Sequence, residues 1–331
     1  MSSGARAFWQ LGSTRGEIRP AEVATPGPGQ VLVRTLFTGI SRGTESLVFR
    51  GGVPPSQYDA MRAPFQEGEF PGPVKYGYLN VGRVEQGPPA LQGRTVFCLY
   101  PHQTSFVVPA TAVCVVPDQV PPRRAVLAGT VETAVNALWD ARPLVGDRVT
   151  VVGAGMVGCC LARLVAQIPG VNVTLIDIDQ TRRCVAQALG VTFALAVDVT
   201  RNLGQQSGGT QDLVLHTSAT SAGLQLSLDL LRPEGTVVDL SWYGDTDVRV
   251  QLGGAFHSRR LGIKASQVGT VSPSQNGSRT HAERLALALQ LLQDDSFDAL
   301  ITGESPFEEL PDVMPGLADG TRPAICHTIS Y

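Results

Sequence analysis

The chain carries near its middle the segment Val149-Thr150-Val151-Val152-Gly153-Ala154-Gly155-Met156-Val157-Gly158. An apolar, strand-like run leads into the pattern Gly-x-Gly-x-x-Gly, and a helical stretch continues to Gln167. A second apolar run, Val173 to Ile176, ends at Asp177, about 20 residues beyond the last glycine, as the dinucleotide-binding fingerprint requires. The combination predicts a site for a nicotinamide or flavin dinucleotide. The alternative, a glycine-rich turn, does not explain the flanking strand, helix and acidic residue.

At each glycine of this loop, a side chain would obstruct the turn of the chain, the cofactor or the packing of the helix. Gly153 permits a tight turn, Gly155 lets the backbone approach a pyrophosphate, and Gly158 lets the helix pack closely on the strand. The first N–H groups and the positive dipole end of the helix face the phosphates in such sites. We therefore expect Gly153, Gly155, Met156, Val157 and Gly158 to bind the cofactor.

The acidic residue after the second strand narrows the choice of cofactor. A carboxylate at Asp177 accepts hydrogen bonds from the ribose hydroxyls and repels a 2′-phosphate, which favours NAD over NADP. Ile178 follows it and is assigned to the same site. Arg182 and Arg183 could in principle contact a 2′-phosphate, but a solvated first turn of the next helix fits them better.

Length and composition limit the class of protein. The chain has 331 residues, 43% of them hydrophobic, which allows a large core and two domains. A net charge of −3 gives no basic field for nucleic acid, so a small-molecule substrate is the expected partner. The amino terminus has no long apolar signal region, and no apolar run is long enough to span a bilayer, so we expect a cytoplasmic protein without a membrane partner. The six cysteines form no CxxC pair, which indicates neither a disulfide framework nor a structural zinc site.

The pattern of apolar runs predicts an α/β fold with a doubly wound parallel sheet. Strand-like and helix-like segments alternate from Arg148 to Val268. The predicted strands are Val149–Val152, Val173–Ile176, Leu195–Val197, Leu213–His216, Thr236–Leu240 and Ile263–Val268. The predicted helices between them are Met156–Gln167, Thr181–Leu189 and Ser221–Leu231.

The sequence on either side of this region has a different residue pattern, in which short β-rich segments are separated by Pro and Gly. These segments are Val31–Leu36, Gly82–Glu85, Thr95–Leu99, Ser105–Val108, Val113–Val116 and, at the end of the chain, Ala324–Ser330. They predict an antiparallel β domain into which the nucleotide domain is inserted. We expect residues 1–121 and 272–331 in the first domain and 122–271 in the second, with a helix over 122–141 as the bridge.

This order of elements resembles the medium-chain dehydrogenase/reductase superfamily, whose zinc-type alcohol dehydrogenases share the Pro28-Gly29-Gln30-Val31 and Gly146-Asp147-Arg148-Val149 segments. The resemblance covers essentially the whole chain. It implies a GroES-like β domain around the Rossmann domain, a substrate between the two, hydride transfer to or from nicotinamide, and a homodimer. A local likeness over residues 37–45 and at Gly77-Tyr78 is to the branch that contains bacteriochlorophyllide dehydrogenases.

The chain departs from the zinc pattern of that superfamily. Zinc members have Gly-x-Cys-Gly-(Thr/Ser)-Asp where this chain has Gly39-Ile40-Ser41-Arg42-Gly43-Thr44, and Gly-His-Glu where it has Gly77-Tyr78-Leu79. The third ligand position falls on Val131 or Glu132, and the four-cysteine lobe is missing. Because a catalytic zinc needs three protein ligands, we expect a zinc-free protein. An alternative oxygen and nitrogen ligand set is Glu45, His102 and Glu132.

Without zinc, side chains must exchange the proton and stabilise the developing oxyanion. Tyr78 stands at the place of a lost ligand and is a candidate proton donor, although a packed tyrosine is equally compatible with its position. His102 follows a β segment and is a second candidate, unless it is a satisfied turn histidine. Glu132 could orient a donor or contact the nicotinamide ribose, or it could stabilise a helix amino terminus.

Further polar residues are assigned to cofactor binding because they follow predicted strands or open the bridging helix. Ser41 and Arg42 lie in a loop expected to meet the nicotinamide, where a helix-start signature is the alternative. Trp242 and Tyr243 would line the nicotinamide pocket or belong to a subunit interface. The remaining residues of this set are Thr133, Thr217, Ser218 and Gln267.

These features predict a zinc-independent, NAD-linked oxidoreductase that acts on an alcohol/carbonyl pair. One alternative is a quinone or enone reductase. The other is a dinucleotide sensor without catalysis, which would explain the missing zinc ligands but not the polar residues beside the predicted site.

Overall fold

The computed structural model describes residues 4–12, 14–203 and 208–331. Spatial contacts divide the chain into two compact units. The β unit comprises the chain up to Gly129 together with Leu285–Tyr331, and the nucleotide unit comprises Thr130–Arg284. The two boundaries fall inside the helices Ala128–Ala141 and His281–Leu291.

The nucleotide unit is built on a parallel sheet, in which the described residues form six strands. In chain order these are Arg148–Val152, Asn172–Asp177, Thr192–Leu195, Gln211–His216, Leu231–Asp239 and Gly262–Ala265. Their spatial order is 3-2-1-4-5-6, the arrangement of a Rossmann fold. The predicted doubly wound parallel sheet is therefore confirmed.

The central strands of this sheet are buried on both faces, as parallel sheets covered by helices are. Val149 and Val151 are fully buried, and so are Val214 and Leu215 in the neighbouring strand. The helices assigned to this unit, including the two that cross its boundaries, are Ala128–Ala141, Met156–Ala166, Arg182–Ala188, Ala196–Leu203, Ser221–Leu230 and His281–Leu291. An irregular helical turn covers Leu252–Phe256.

The β unit contains two sheets in the described part of the chain. The larger one is mainly antiparallel and is formed by Gln30–Ile40, Asn80–Gln86, Thr95–Cys98, Ser105–Pro109, Val113–Val115, Ile301–Pro306 and Cys326–Ser330. Its last two strands run parallel to each other. The smaller sheet is formed by Arg6–Gly12, Arg15–Pro20, Glu67–Gly68 and Val74–Lys75, a group absent from the sequence prediction.

Helices complete the β unit. They are Arg42–Phe49, Pro122–Ala125 and Leu310–Asp319, with short 3₁₀ turns at Pro55–Gln57, Ala110–Ala112, Asp295–Leu300 and Phe307–Glu309. One core cluster packs Phe8, Ile40 and Phe49 against Leu310 and Met314. The helix Arg42–Phe49 is thereby fixed on the sheet, and its amino-terminal turn carries several of the predicted site residues.

Two predicted elements differ from the structure. The helix over 122–141 is two helices, Pro122–Ala125 and Ala128–Ala141, because the N–H of Leu127 bonds to the carbonyl of Arg124 in a tighter i to i−3 turn. The strand predicted at Leu195–Val197 ends at Leu195, and a helix begins at Ala196. Ala196, Val199 and Leu203 recur at helical spacing and pack against the core of the nucleotide unit.

No helix in the part of the chain that the structure describes is long and apolar enough to cross a membrane.

Candidate active site and nucleotide site

The glycine loop has the close approaches that its spacing predicts. Gly153 has a φ of +108°, a conformation that side chains rarely adopt. A Cβ at Gly158 would lie 1.8 Å from the carbonyl oxygen of Gly153, so only glycine lets the helix meet the strand here. A Cβ at Gly155 would meet nothing within 4 Å, which leaves open space beside the first turn of Met156–Ala166. The N–H groups of that turn have no acceptor within the helix and suit a pyrophosphate.

Asp177 is held by the same loop. Its Oδ2 accepts the N–H of Ala154 at 2.6 Å, and its Oδ1 accepts the N–H of Asp179 at 2.9 Å. Each carboxylate oxygen keeps a second lone pair that suits a ribose hydroxyl. The next residue, Ile178, leaves 87% of its surface exposed, which is unusual for isoleucine and gives an apolar platform beside the ribose position. The residues present therefore fit a dinucleotide.

The two arginines that follow have partners within the protein. Arg182 forms an ion pair with Asp179 at 3.2 Å. The guanidinium of Arg183 lies over the ring of Phe193, 5.1 Å from its centroid. Both side chains are therefore engaged near the place where a 2′-phosphate would need them.

A polar cluster lies at the carboxyl ends of the adjacent strands Gln211–His216 and Leu231–Asp239. His216 Nδ1 lies 2.9 Å from Asp239 Oδ1, and His216 Nε2 lies 2.7 Å from Ser218 Oγ. Tyr243 donates its hydroxyl to Asp239 Oδ2 at 2.9 Å. Thr217 donates to the carbonyl of Gly153 at 2.9 Å and so joins this cluster to the glycine loop.

The other predicted residues of this unit lie in different surroundings. Trp242 is half-buried beyond the end of its strand. Gln267 Oε1 accepts the N–H of Gly269 at 2.6 Å, which closes a local turn, and Thr133 is half-buried within Ala128–Ala141. The structure does not bring Gln267 into the hydrogen-bonded cluster around His216.

Glu132 is buried in an ion pair rather than presented to a ligand. Its Oε1 accepts from Arg284 Nε at 3.0 Å, and both side chains are almost fully buried. Burial raises the pKa of Glu132, while the charge and hydrogen bond of Arg284 oppose that rise. Arg284 also donates to Asn136 Oδ1 at 2.6 Å and to the carbonyl of Val268 at 2.6 Å. The pair therefore ties Ala128–Ala141 to the segment after the last strand.

In the β unit, Tyr78 and Ser41 form a direct contact. The Tyr78 hydroxyl donates to Ser41 Oγ at 2.7 Å. By the order of the zinc motifs, these two residues stand where the first thiolate and the imidazole ligand stand in zinc members. Burial is the largest influence and raises the pKa of Tyr78 to about 12, the charge of Glu45 adds to the rise, and hydrogen bonds with Ser41 and Thr44 oppose it.

A buried pair, Glu45 and His102, lies next to this contact. The sequence indicated these two residues together only as part of a possible metal-ligand set. Glu45 is fully buried, and its Oε1 accepts the N–H of Ser41 at 2.7 Å. Its Oε2 lies 2.8 Å from Nε2 of His102, and His102 Nδ1 lies 2.6 Å from Thr38 Oγ1. Thr38 in turn lies 3.2 Å from the hydroxyl of Tyr331. Both nitrogens of His102 are thus engaged inside the β unit.

Arg42 contacts a different part of the β unit, where it donates to the carbonyl of Ala324 at 3.0 Å. Among residues 4–12, 14–203 and 208–331, no group of three or more His, Cys, Asp or Glu side chains is arranged to hold a metal ion. Glu45 and His102 are in contact, whereas Glu132 is paired with Arg284.

Known proteins resemble the chain over part of its length. No protein-family model matches the chain. An uncharacterized zinc-type alcohol dehydrogenase-like protein of Haemophilus influenzae is 25% identical over 64% of this chain and 59% of its own length. The 2-desacetyl-2-hydroxyethyl bacteriochlorophyllide A dehydrogenase of Rhodobacter capsulatus is 30% identical over 49% of this chain and 52% of its own. The chain thus spans between half and three fifths of the length of these relatives.

Solved structures match over almost the whole chain. A protein of Sinorhizobium meliloti named as a zinc-binding dehydrogenase, bound to NADP, superposes with a TM-score of 0.78 at 17% identity and covers all of both chains. The chain has the medium-chain dehydrogenase/reductase fold. An alcohol dehydrogenase of Escherichia coli complexed with NADH has the same TM-score at 17% identity and covers 99% of both chains. The resemblance and the fold inferred from the sequence are confirmed, and the neighbours carry both NADP and NADH.

Two of these contacts were missed by sequence reasoning. Arg284 lies in a helix that reads as amphipathic surface, and its burial has no signal in the sequence. Asp239 ends its predicted strand, and the rule that carboxyl ends of parallel strands meet at one edge would have placed it beside His216. Sequence spacing alone does not show that the two side chains pair.

Proposed function

We propose that the chain is a zinc-independent, NAD-linked oxidoreductase that exchanges a hydride with an alcohol/carbonyl pair and uses Tyr78 as its proton donor. The main observation that supports this proposal is the 2.7 Å hydrogen bond from Tyr78 to Ser41. It joins two hydroxyl groups at the positions where zinc members of the superfamily have two ligands. The names of the relatives and of the structural neighbours support dehydrogenase chemistry.

The nucleotide unit supports NAD as the preferred dinucleotide. A bound nicotinamide would supply or accept the hydride. The helix Met156–Ala166 offers N–H groups to the pyrophosphate, and Asp177 offers lone pairs to the ribose hydroxyls. A 2′-phosphate would meet the carboxylate of Asp177, whereas Arg182 is paired with Asp179.

Tyr78 suits proton donation in the direction of carbonyl reduction. With a pKa of about 12 its phenol stays protonated at neutral pH. An alkoxide formed by hydride addition is a stronger base than this phenolate, so proton transfer from Tyr78 to the oxygen is downhill. The reverse step, removal of a proton from an alcohol, would need a phenolate that is scarce at neutral pH. Ser41 would then hydrogen-bond the phenolate oxygen that proton transfer leaves.

The donor types at these positions support zinc independence. Zinc in proteins is bound by thiolate, imidazole and carboxylate groups, and neutral hydroxyls such as those of Ser41 and Tyr78 are not among its usual ligands. Glu45 and His102 are buried and bonded to each other, so a metal would have to break that contact. His102 is proposed to position Glu45 rather than to meet the substrate.

Activity measurements with purified protein test the proposal. NADH and NADPH oxidation would be followed with aldehydes, ketones, quinones and enones, with and without a zinc chelator, while zinc content is measured. Reduction of an aldehyde or ketone that survives chelation and is lost in Tyr78→Phe is the expected result. Activity with quinones or enones alone would indicate the alternative reductase. Tight binding of NADH without turnover would indicate a sensor, and activity that requires one zinc per chain would overturn zinc independence. We also propose that the protein forms a homodimer, as its resemblance to the superfamily implies.

A further inference from the structure

A serine, a histidine and an aspartate are connected by hydrogen bonds at the carboxyl edge of the parallel sheet. His216 and Asp239 end adjacent strands and pair in register. Ser218 Oγ lies 2.7 Å from His216 Nε2, and His216 Nδ1 lies 2.9 Å from Asp239 Oδ1. A nucleophile, a base and a carboxylate that orients the base are thus all within hydrogen-bond reach, which is the arrangement of an activated serine.

We propose that Ser218 is an activated nucleophile that accepts an acyl group from a carboxylic ester with a phenol-type leaving group. This activity is separate from hydride transfer and does not depend on the proposed dehydrogenase function. It requires no metal or dinucleotide.

The carboxylate at the end of the chain of contacts is held in its charged form. Burial would raise the pKa of Asp239, but hydrogen bonds from His216, the N–H of Ser241 and the hydroxyl of Tyr243 outweigh it and keep the pKa below its ordinary value. A charged carboxylate next to Nδ1 holds the proton on that nitrogen. His216 Nε2 is then the acceptor for the hydroxyl proton of Ser218.

Ser218 stands over the start of a helix. The residue after it, Ala219, has a φ of +52°, so the chain turns sharply between the strand and the helix Ser221–Leu230. A Cβ at Gly223 would lie 2.0 Å from Ser218 Oγ, so the hydroxyl packs directly on the first helical turn. Thr220 caps the N–H of Gly223 at 3.0 Å. The N–H groups of the two residues before Gly223 have no acceptor within the helix and suit a developing oxyanion.

The reaction balances with the groups present and water. Ser218 Oγ attacks the carbonyl carbon and its proton passes to His216 Nε2. The bond from that carbon to the phenol oxygen breaks, which leaves acyl-Ser218 and a phenolate. Water then attacks the acyl carbon and loses its proton to solvent, His216 Nε2 returns its proton to Ser218 Oγ, and the carboxylic acid and free Ser218 are released.

The burial of His216 determines the class of ester. Its side chain is fully buried, and Nε2 would lie only 2.9 Å from a Cβ at Gly223. A leaving group therefore has little access to the imidazolium proton. A phenol departs as its anion without that proton, whereas a simple alkoxide does not.

Acylation of the full-length protein, without added dinucleotide, tests the proposal. The protein would be treated with p-nitrophenyl acetate and, separately, with a fluorophosphonate, which loses fluoride and likewise needs no leaving-group proton. The labelled peptide is identified by mass spectrometry, and release of p-nitrophenol is followed over time. Ser218→Ala and Asp239→Asn are compared with Ser258→Ala, a change at an exposed serine outside the cluster. Thermal unfolding checks that each variant is folded.

We expect label on Ser218, a burst of p-nitrophenol near one equivalent, and loss of both in Ser218→Ala. Acylation should slow by roughly 100-fold or more in Asp239→Asn, because the asparagine no longer fixes the tautomer of His216. Ser258→Ala should behave as the unchanged protein. Absence of label on Ser218 in the unchanged protein would overturn the proposal, as would acylation of folded Asp239→Asn at the original rate.

Discussion

The hydroxyl of Tyr78 donates a hydrogen bond of 2.7 Å to the hydroxyl of Ser41. Ser41 immediately precedes the helix Arg42–Phe49, and its N–H is held by the buried carboxylate of Glu45 at 2.7 Å. The position of the Ser41 hydroxyl, and therefore of the phenol, depends on a carboxylate that is fully buried.

Replacement of Tyr78 by phenylalanine should lower kcat for carbonyl reduction by about 100-fold to 10,000-fold, the usual range for loss of a positioned proton donor. Affinity for NADH should stay within about twofold, since Tyr78 lies outside the nucleotide unit. Steady-state kinetics and NADH fluorescence titration measure the two quantities. Tyr58→Phe removes the same hydroxyl from a partly exposed tyrosine of the β unit and should leave both unchanged. Equal loss in the two variants would argue against a special role for Tyr78.

The pH dependence of reduction should carry no loss from Tyr78 between pH 7 and 10. The raised pKa means that the phenol keeps its proton until the pH approaches about 12. In Glu45→Gln the negative charge that raises this pKa is removed, so the pKa of Tyr78 should fall and the alkaline limb should move to lower pH. Tyrosinate absorbance and the kcat profile report the shift. An unchanged alkaline limb in a folded variant would contradict the electrostatic role of Glu45.

Two glycines of the loop should respond differently to alanine. Gly158→Ala places a Cβ 1.8 Å from the Gly153 carbonyl and should destabilise the nucleotide unit as well as abolish NADH binding. Gly155→Ala meets no atom within 4 Å, so its thermal stability should be unchanged while NADH affinity falls at least about tenfold, because the methyl group would occupy the approach to the pyrophosphate. Gly253→Ala, also in open space, is the control for the substitution itself. Full NADH affinity in Gly155→Ala would contradict the inference that the pyrophosphate binds at this loop.

Asp177→Asn should reduce the preference for NADH over NADPH by about tenfold, since it removes the charge that repels a 2′-phosphate. Affinities for both dinucleotides, measured at one ionic strength, give the ratio. Asp198→Asn, which changes an exposed carboxylate of the same unit, should not alter it. A chain that already prefers NADPH would contradict the assignment of Asp177.

Glu132→Ala should lower the free energy of unfolding by about 3 kcal/mol, because it leaves the buried guanidinium of Arg284 without its charged partner. Glu234→Ala breaks an exposed pair with Arg260 and should cost less than about 1 kcal/mol. Denaturant unfolding compares the two. If both changes cost the same, the burial of the Glu132 pair has no energetic consequence.

Sequence patterns predicted the parallel sheet and the glycine loop of the nucleotide unit. The spacing of Gly153, Gly155 and Gly158, the apolar runs around them and the position of Asp177 are local or periodic features, and a helix–strand contact as close as that at Gly158 admits only glycine. The strand at Thr192–Leu195 was misplaced by a few residues because a short apolar run fits both a strand and the start of a helix.

The tertiary structure alone decided which polar groups meet. Glu45 and His102 are 57 residues apart, Glu132 and Arg284 are 152 apart, and His216 and Asp239 are 23 apart. A hydrogen bond acts over about 3 Å, and such distances are set by the packing of strands and helices that are remote in the chain. The sequence by itself therefore determined that this protein has a dinucleotide fold without the usual zinc ligands. Only the folded chain assigned Glu132 to an ion pair, enclosed His102, and placed Tyr78 against Ser41.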